Sequence, residues 1–75
     1  MTKLPDLTPI KSRMFTHHHY DPNTRKMTLR YTNGAVWEHD DVPAEKNDAF
    51  LGNMSKGRYF NDRIKSNYVA RKVAE

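Results

Sequence analysis

A chain of 75 residues without cysteine is one small domain that cannot be a disulfide scaffold, and no apolar run approaches the length of a membrane span. The net charge is +4, carried in blocks: residues 1–37 hold six basic and two acidic side chains, residues 38–48 one and five, and residues 56–75 six and two. An acidic stretch between two basic ones repels phosphate locally, so the pattern suits a charged protein surface at least as well as nucleic acid alone. With no continuous apolar block near the N-terminus, the composition predicts a soluble, cytoplasmic protein.

Residues 1–11 set Leu4, Leu7 and Ile10 among Pro5 and Pro9. Two prolines this close forbid a helix and discourage a central strand, which predicts an extended or disordered arm. Residues 13–20, with Phe15, Thr16 and Tyr20, read as a first strand. Asp21-Pro22-Asn23-Thr24 has the residue order of a type I turn. Residues 26–32 then alternate: Met27, Leu29 and Tyr31 toward a core, Thr28, Arg30 and Thr32 toward water. Asn33-Gly34 marks a hairpin. A two-residue loop would set Tyr31 opposite Val36 and leave Trp37 wet. A three-residue loop sets Tyr31 opposite Ala35, Leu29 opposite Trp37 and Met27 beside His39. The second register gathers the large residues on one face and is the one expected.

Pro43 suits a first helical position, Asp41 and Glu45 suit the positive helix end, and Phe50 and Leu51 are the expected anchors of a helix that stops at Gly52. A second helix is expected from Lys56 to Ser66, capped by the Ser55 hydroxyl, with Gly52 and Gly57 allowing sharp turns around the cap. In it Phe60 and Ile64, four apart, enter the core, while Arg58, Asp62 and Lys65 line the wet face. Residues 70–75 read as a tail. The expected fold class is α+β: a three-stranded antiparallel β-meander followed by two short helices.

The ordered landmarks Tyr20-Asp21-Pro22, Leu29, Tyr31, Asn33-Gly34, Val36, Trp37, His39, Val42-Pro43, Ser55, Gly57, Tyr59-Phe60-Asn61, Ile64 and Tyr68 resemble the KTSC domain, named after the C-terminal extension of some lysyl-tRNA synthetases. The resemblance covers roughly residues 12–69. The family's central Tyr-x-Tyr appears here as Trp37-Glu38-His39, and His18 stands where the family has an aliphatic residue. The resemblance implies a three-stranded sheet with two helices. It also implies a small stand-alone bacterial or phage protein, with either RNA binding or regulation of host machinery as its role.

Catalytic chemistry finds no support in the residues. Ser12, Ser55 and Ser66 lack a glycine-bracketed elbow, and the glycines around Asn53-Met54-Ser55-Lys56 are wrongly placed for a phosphate loop. His17 and His19 share one side of a strand, but no third metal ligand has a defined place. No cofactor and no metal are expected. A chain this thin is also expected to struggle to build a cleft of a few hundred cubic ångströms.

Binding remains. Lys56, Arg58, Arg63, Lys65, Arg71 and Lys72 form a basic zone with Tyr59 expected exposed beside it. The set could dock on an acidic protein groove, or hold tRNA or single-stranded RNA by phosphate contacts and stacking. The sequence therefore predicts a monomeric, non-catalytic binding regulator. Its expected partner is a nucleic-acid-handling host protein, with bacterial RNA polymerase as first candidate and interference with transcription as the outcome. Direct RNA binding is the alternative.

Overall fold

The computed structural model describes residues 6–74, so Leu4 and Pro5 of the expected arm lie outside the described residues. The elements run β1 (Thr8–Pro9), β2 (Phe15–Asp21), β3 (Lys26–Tyr31), β4 (Val36–His39), α1 (Ala44–Leu51), α2 (Lys56–Arg63) and β5 (Ala70–Ala74). All neighbours pair antiparallel, in the order β1-β2-β3-β4-β5. The α+β class stands, but the sheet has five strands where three were expected. The described parts of the segments read as arm and tail each contain an edge strand, β1 and β5. The reason lies in the backbone: the outer edges of β2 and β4 carry amides and carbonyls that need partners. Residues 70–74 supply them for β4 although Ala-Arg-Lys-Val-Ala has no strand-like alternation. At the other edge Pro9, which lacks an N–H, is tolerated in a two-residue strand.

The β3–β4 hairpin takes the three-residue register. Tyr31 N–H donates to the Ala35 carbonyl at 2.8 Å, and Gly34 N–H to the Tyr31 carbonyl at 2.9 Å. Leu29 lies opposite Trp37 and Met27 opposite His39. Gly34 has φ 94, the left-handed conformation that glycine adopts without strain. In the β2–β3 turn Asp21 Oδ1 accepts the Asn23 N–H at 2.9 Å. That bond is the main cause holding the Asp21 carboxyl below its ordinary range. Arg25 follows at φ 60, its carbonyl accepting the Val42 N–H at 2.9 Å. Asp41, at φ 58, faces it as an ion pair of 3.4 Å. The two left-handed non-glycine residues thus sit side by side and tie the first hairpin to the entry of α1.

A bulge at Thr16 shifts the register between Phe15↔Tyr31 and His17↔Arg30. It lets Phe15 and His18, three positions apart, both face the helices. The core is Phe15, Met27, Leu29, Val42, Phe50, Phe60 and Ile64. The Phe15 ring stands at its centre, edge-on to Tyr31 at 4.8 Å, Phe60 at 5.0 Å and Phe50 at 5.7 Å. Each such side chain contributes about 1.5–3 kcal/mol of transfer free energy when fully buried. The helix-free face carries His17, His19, Thr28, Arg30, Val36 and Glu38. Thr28, expected to meet water, is only 2% exposed there, because β3 is the central strand and His19 and Glu38 flank it.

The helices differ from expectation in detail. Pro43 sits one residue before the first helical turn, its carbonyl accepting the Asn47 N–H at 3.2 Å. Leu51 is exposed; Asn47 is the inward partner of Phe50 instead, three residues back on the same face. Helix α2 ends at Arg63, short of Ser66, with Ile64 buried at its C-cap. Ser55 occupies the N-cap position, but its hydroxyl makes no capping bond. The side chain of Asn53 accepts the Ser55 N–H instead, at 2.8 Å. Gly52 has an ordinary right-handed conformation. Gly57 lies within α2, where a Cβ would come 2.6 Å from Met14 Sδ. Its role is close approach, and the sharp turn expected of it does not occur.

Candidate functional site

The predicted binding residues separate into three groups. Lys56, Arg58, Tyr59 and Arg63 stay together on α2. They line two connected concavities. One, of about 440 Å³, is walled by Asn53, Ser55, Arg58, Tyr59, Asp62 and Arg63. The other, of about 560 Å³, also includes Arg13, Met14, Met54 and Lys56. Ser55, Arg58 and Asp62 are common to both. Clefts of a few hundred cubic ångströms therefore do form, contrary to expectation, beside α2 and the segment that precedes β2. Arg13, which the sequence reading left out, joins this surface because the chain before β2 passes the start of α2.

The positive charge of this surface is only weakly compensated. The first turn of α2 carries no acidic residue but does carry Lys56 and Arg58, at the end where the helix dipole is already positive. Arg58 meets Asp62 at only 4.0 Å, with both side chains largely exposed. Such a pair holds little free energy. Lys56 Nζ donates to the Asn53 carbonyl at 3.2 Å, anchoring the lysine along the wall. Met54 is fully exposed at the rim. Tyr59, expected exposed, is half-buried with its ring packed on the core.

Arg71 lies elsewhere. Its guanidinium pairs with Asp40 and stands 3.7 Å from Glu38 Oε1, which also takes Lys26 Nζ at 3.3 Å. Lys26 and Arg71 thus partly neutralise the start of the acidic block, at Glu38 and Asp40. Lys72 lies directly opposite Trp37 on the helix-side face.

Lys65 belongs to a third concavity, which the sequence did not reveal. It has about 380 Å³ and is lined by Tyr31, Asn33, Trp37, His39, Phe60, Lys65 and Ala70. Its walls come from β3, β4, α2, the following turn and β5, so only the closed sheet assembles them. His39 is buried, and burial pushes its imidazole below the ordinary 6.5. Its Nδ1–H donates to the Met27 carbonyl at 3.4 Å. Burial raises the Tyr31 phenol above its ordinary value. Trp37 and His39, the two positions matched to Tyr-x-Tyr, both line this cleft.

The histidine run resolves by the bulge. His18 turns inward opposite Leu29, and its Nε2–H donates to Asn47 Oδ1 at 2.6 Å while its ring stacks on Phe50 at 5.9 Å. Burial lowers its pKa. His17 and His19 stay on the other face. Among the described residues no three His, Asp or Glu side chains gather to hold a metal ion, and no helix is long and apolar enough to cross a membrane.

The pattern of the KTSC domain matches residues 11–68. The chain belongs to the KTSC domain family. A solved KTSC domain protein from Yersinia pestis is similar in fold, with a TM-score of 0.85 and 27% identity, covering 92% of this chain and 97% of that one. A small protein of Tsukamurella paurometabola is 33% identical over 64 residues, 85% of this KTSC chain and 96% of its own length. A lysine–tRNA ligase of a Nostoc species is 31% identical over 51 residues, which span 68% of this chain and only 9% of the ligase. Sequence similar to this chain thus makes up nearly all of one small protein and a minor part of one large enzyme.

Proposed function

We propose that this KTSC domain is a non-catalytic docking module that grips an acidic site on a protein of the nucleic-acid machinery through the surface around α2. The observation that carries the reading is the weakly compensated start of α2. Arg13, Lys56 and Arg58 add to the positive helix end, with no acid in the first turn. Each like-signed placement costs a few tenths of a kcal/mol or more, and a partner's carboxylates would return that cost. The fully exposed Met54 beside them supports a protein partner over phosphate alone, since an adaptable thioether packs on apolar surface. Bacterial RNA polymerase is the first partner to test, with altered transcription as the expected outcome. A second reading, single-stranded RNA or tRNA, is favoured by Tyr59 lying between Arg58 and Arg63 in one concavity.

Affinity capture from bacterial lysate, with and without nuclease, tests both. The protein reading expects a partner that survives nuclease and is lost from the Lys56→Glu/Arg58→Glu/Arg63→Glu variant. Loss on nuclease treatment moves the reading to RNA. Equal capture by the triple variant discards both.

A further inference from the structure

The aromatic cleft is separate from the α2 surface and has its own chemistry. Two half-buried aromatic side chains, Tyr31 and Trp37, wall it over a floor of buried Phe60, with Ala70 at one side. Lys65 is the charged side chain among its described lining residues, and none of those is a carboxylate. Its polar groups have work left to do. With Nδ1–H given to the Met27 carbonyl, the neutral His39 ring keeps Nε2 as an acceptor. Tyr31 keeps a protonated hydroxyl, and Trp37 an indole N–H that can only donate. A volume of about 380 Å³ falls among small-ligand sites, which typically occupy about 300–1,000 Å³.

We infer that this cleft binds a nucleobase bearing a phosphate, the base stacked on Trp37 and Tyr31 and the phosphate drawn to Lys65. The match is one of shape and charge. A planar heteroaromatic ring uses the π-faces, its edge carries both donors and acceptors for Tyr31, Trp37 and His39, and its anion meets a cation at the rim. An aliphatic ligand would waste the polar edge, and a cationic one would meet Lys65. The base can belong to a free mononucleotide or to an unpaired position in a single strand, and both carry the same chemistry.

Trp37 is the protein's single tryptophan and lies in the cleft, so intrinsic fluorescence reads occupancy at this place. The probes are AMP, UMP, short single-stranded oligoadenylate and oligouridylate, and inorganic phosphate. Saturable quenching by the mononucleotides is expected, absent with inorganic phosphate. The Lys65→Ala variant, altered at an exposed position, weakens the apparent affinity by about tenfold, the scale of one lost charge-assisted contact. Ala70→Leu, also at an exposed position, fills the cleft and abolishes the response. Lys56→Glu/Arg58→Glu leaves mononucleotide quenching unchanged, which keeps this site distinct from the α2 surface. Quenching by the oligonucleotides alone, still lost in Ala70→Leu, assigns the base to a strand. The inference is overturned if no base-containing probe quenches saturably, if Ala70→Leu leaves quenching intact, or if fluorescence changes only on dilution of the protein, which would make a second copy the occupant.

Discussion

His18 and His39 are imidazoles held neutral inside a core, and each ties a polar edge to one partner: His18 to the Asn47 side chain, His39 to the Met27 carbonyl. Burial lowers both below the ordinary 6.5. The unfolded chain takes up those protons near 6.5, whereas the folded chain takes them up only at lower pH. Their contribution to stability is therefore complete above about pH 6.5 and declines as the pH falls through the lowered folded values. Urea midpoints measured at about pH 7.5 and about pH 5 should fall in that order. Replacing His18 alone by Leu strands the buried Asn47 amide and should cost about 1–3 kcal/mol. The double replacement His18→Leu/Asn47→Leu removes both polar partners and should recover most of that loss while flattening the pH dependence. A double replacement as costly as the sum of its parts would show that the bond between them is not the issue. From the sequence, the side on which His18 lies could be read, because it stands where the resembling family has an aliphatic residue. Asn47 could not, since a polar residue in a short helix ordinarily signals the wet face.

At the scale of elements, β5 is the strand whose place in the fold changes most. It covers the outer edge of β4 and brings Ala70 to the aromatic cleft. A chain ending at Val69 should lose at least about 1 kcal/mol, seen as a fall of roughly 4–8 °C in Tm for a domain of this size. Amide exchange should accelerate along β4, from Val36 to His39. Unchanged protection there would mean that β5 contributes little. The β3–β4 hairpin was legible because Asn33-Gly34 and the large residues agreed on one register. Strand β5 was not, because Ala-Arg-Lys-Val-Ala takes its conformation from an edge that exists only after β4 has formed. The cleft was hidden for the same reason: its walls lie on six segments between Tyr31 and Ala70, and no spacing rule joins them. Leu51 was misplaced because hydrophobicity alone does not fix the rotation of a two-turn helix.

For the molecule as a whole, the charge blocks sort by face. The acidic stretch is partly neutralised by Lys26 and Arg71, while the start of α2 is left positive. The sheet's two edges are blunted, β1 by its two-residue length and Pro9, β5 by Arg71 and Lys72. A monomer is the expected state in light scattering across micromolar concentrations. A concentration-dependent dimer that Lys72→Glu strengthens would show that edge charge alone had been holding copies apart. The strand order has one more consequence. Because the strands lie in the sheet in the order of the chain, the first and last are its opposite margins. Traction applied to the two termini would load the outermost rungs one after another, since ladder bonds run across the strands. Such a body yields to a mechanical pull by peeling from its margins, at forces well below those needed to shear all rungs together, so a motor that threads polypeptide from either end would meet little resistance.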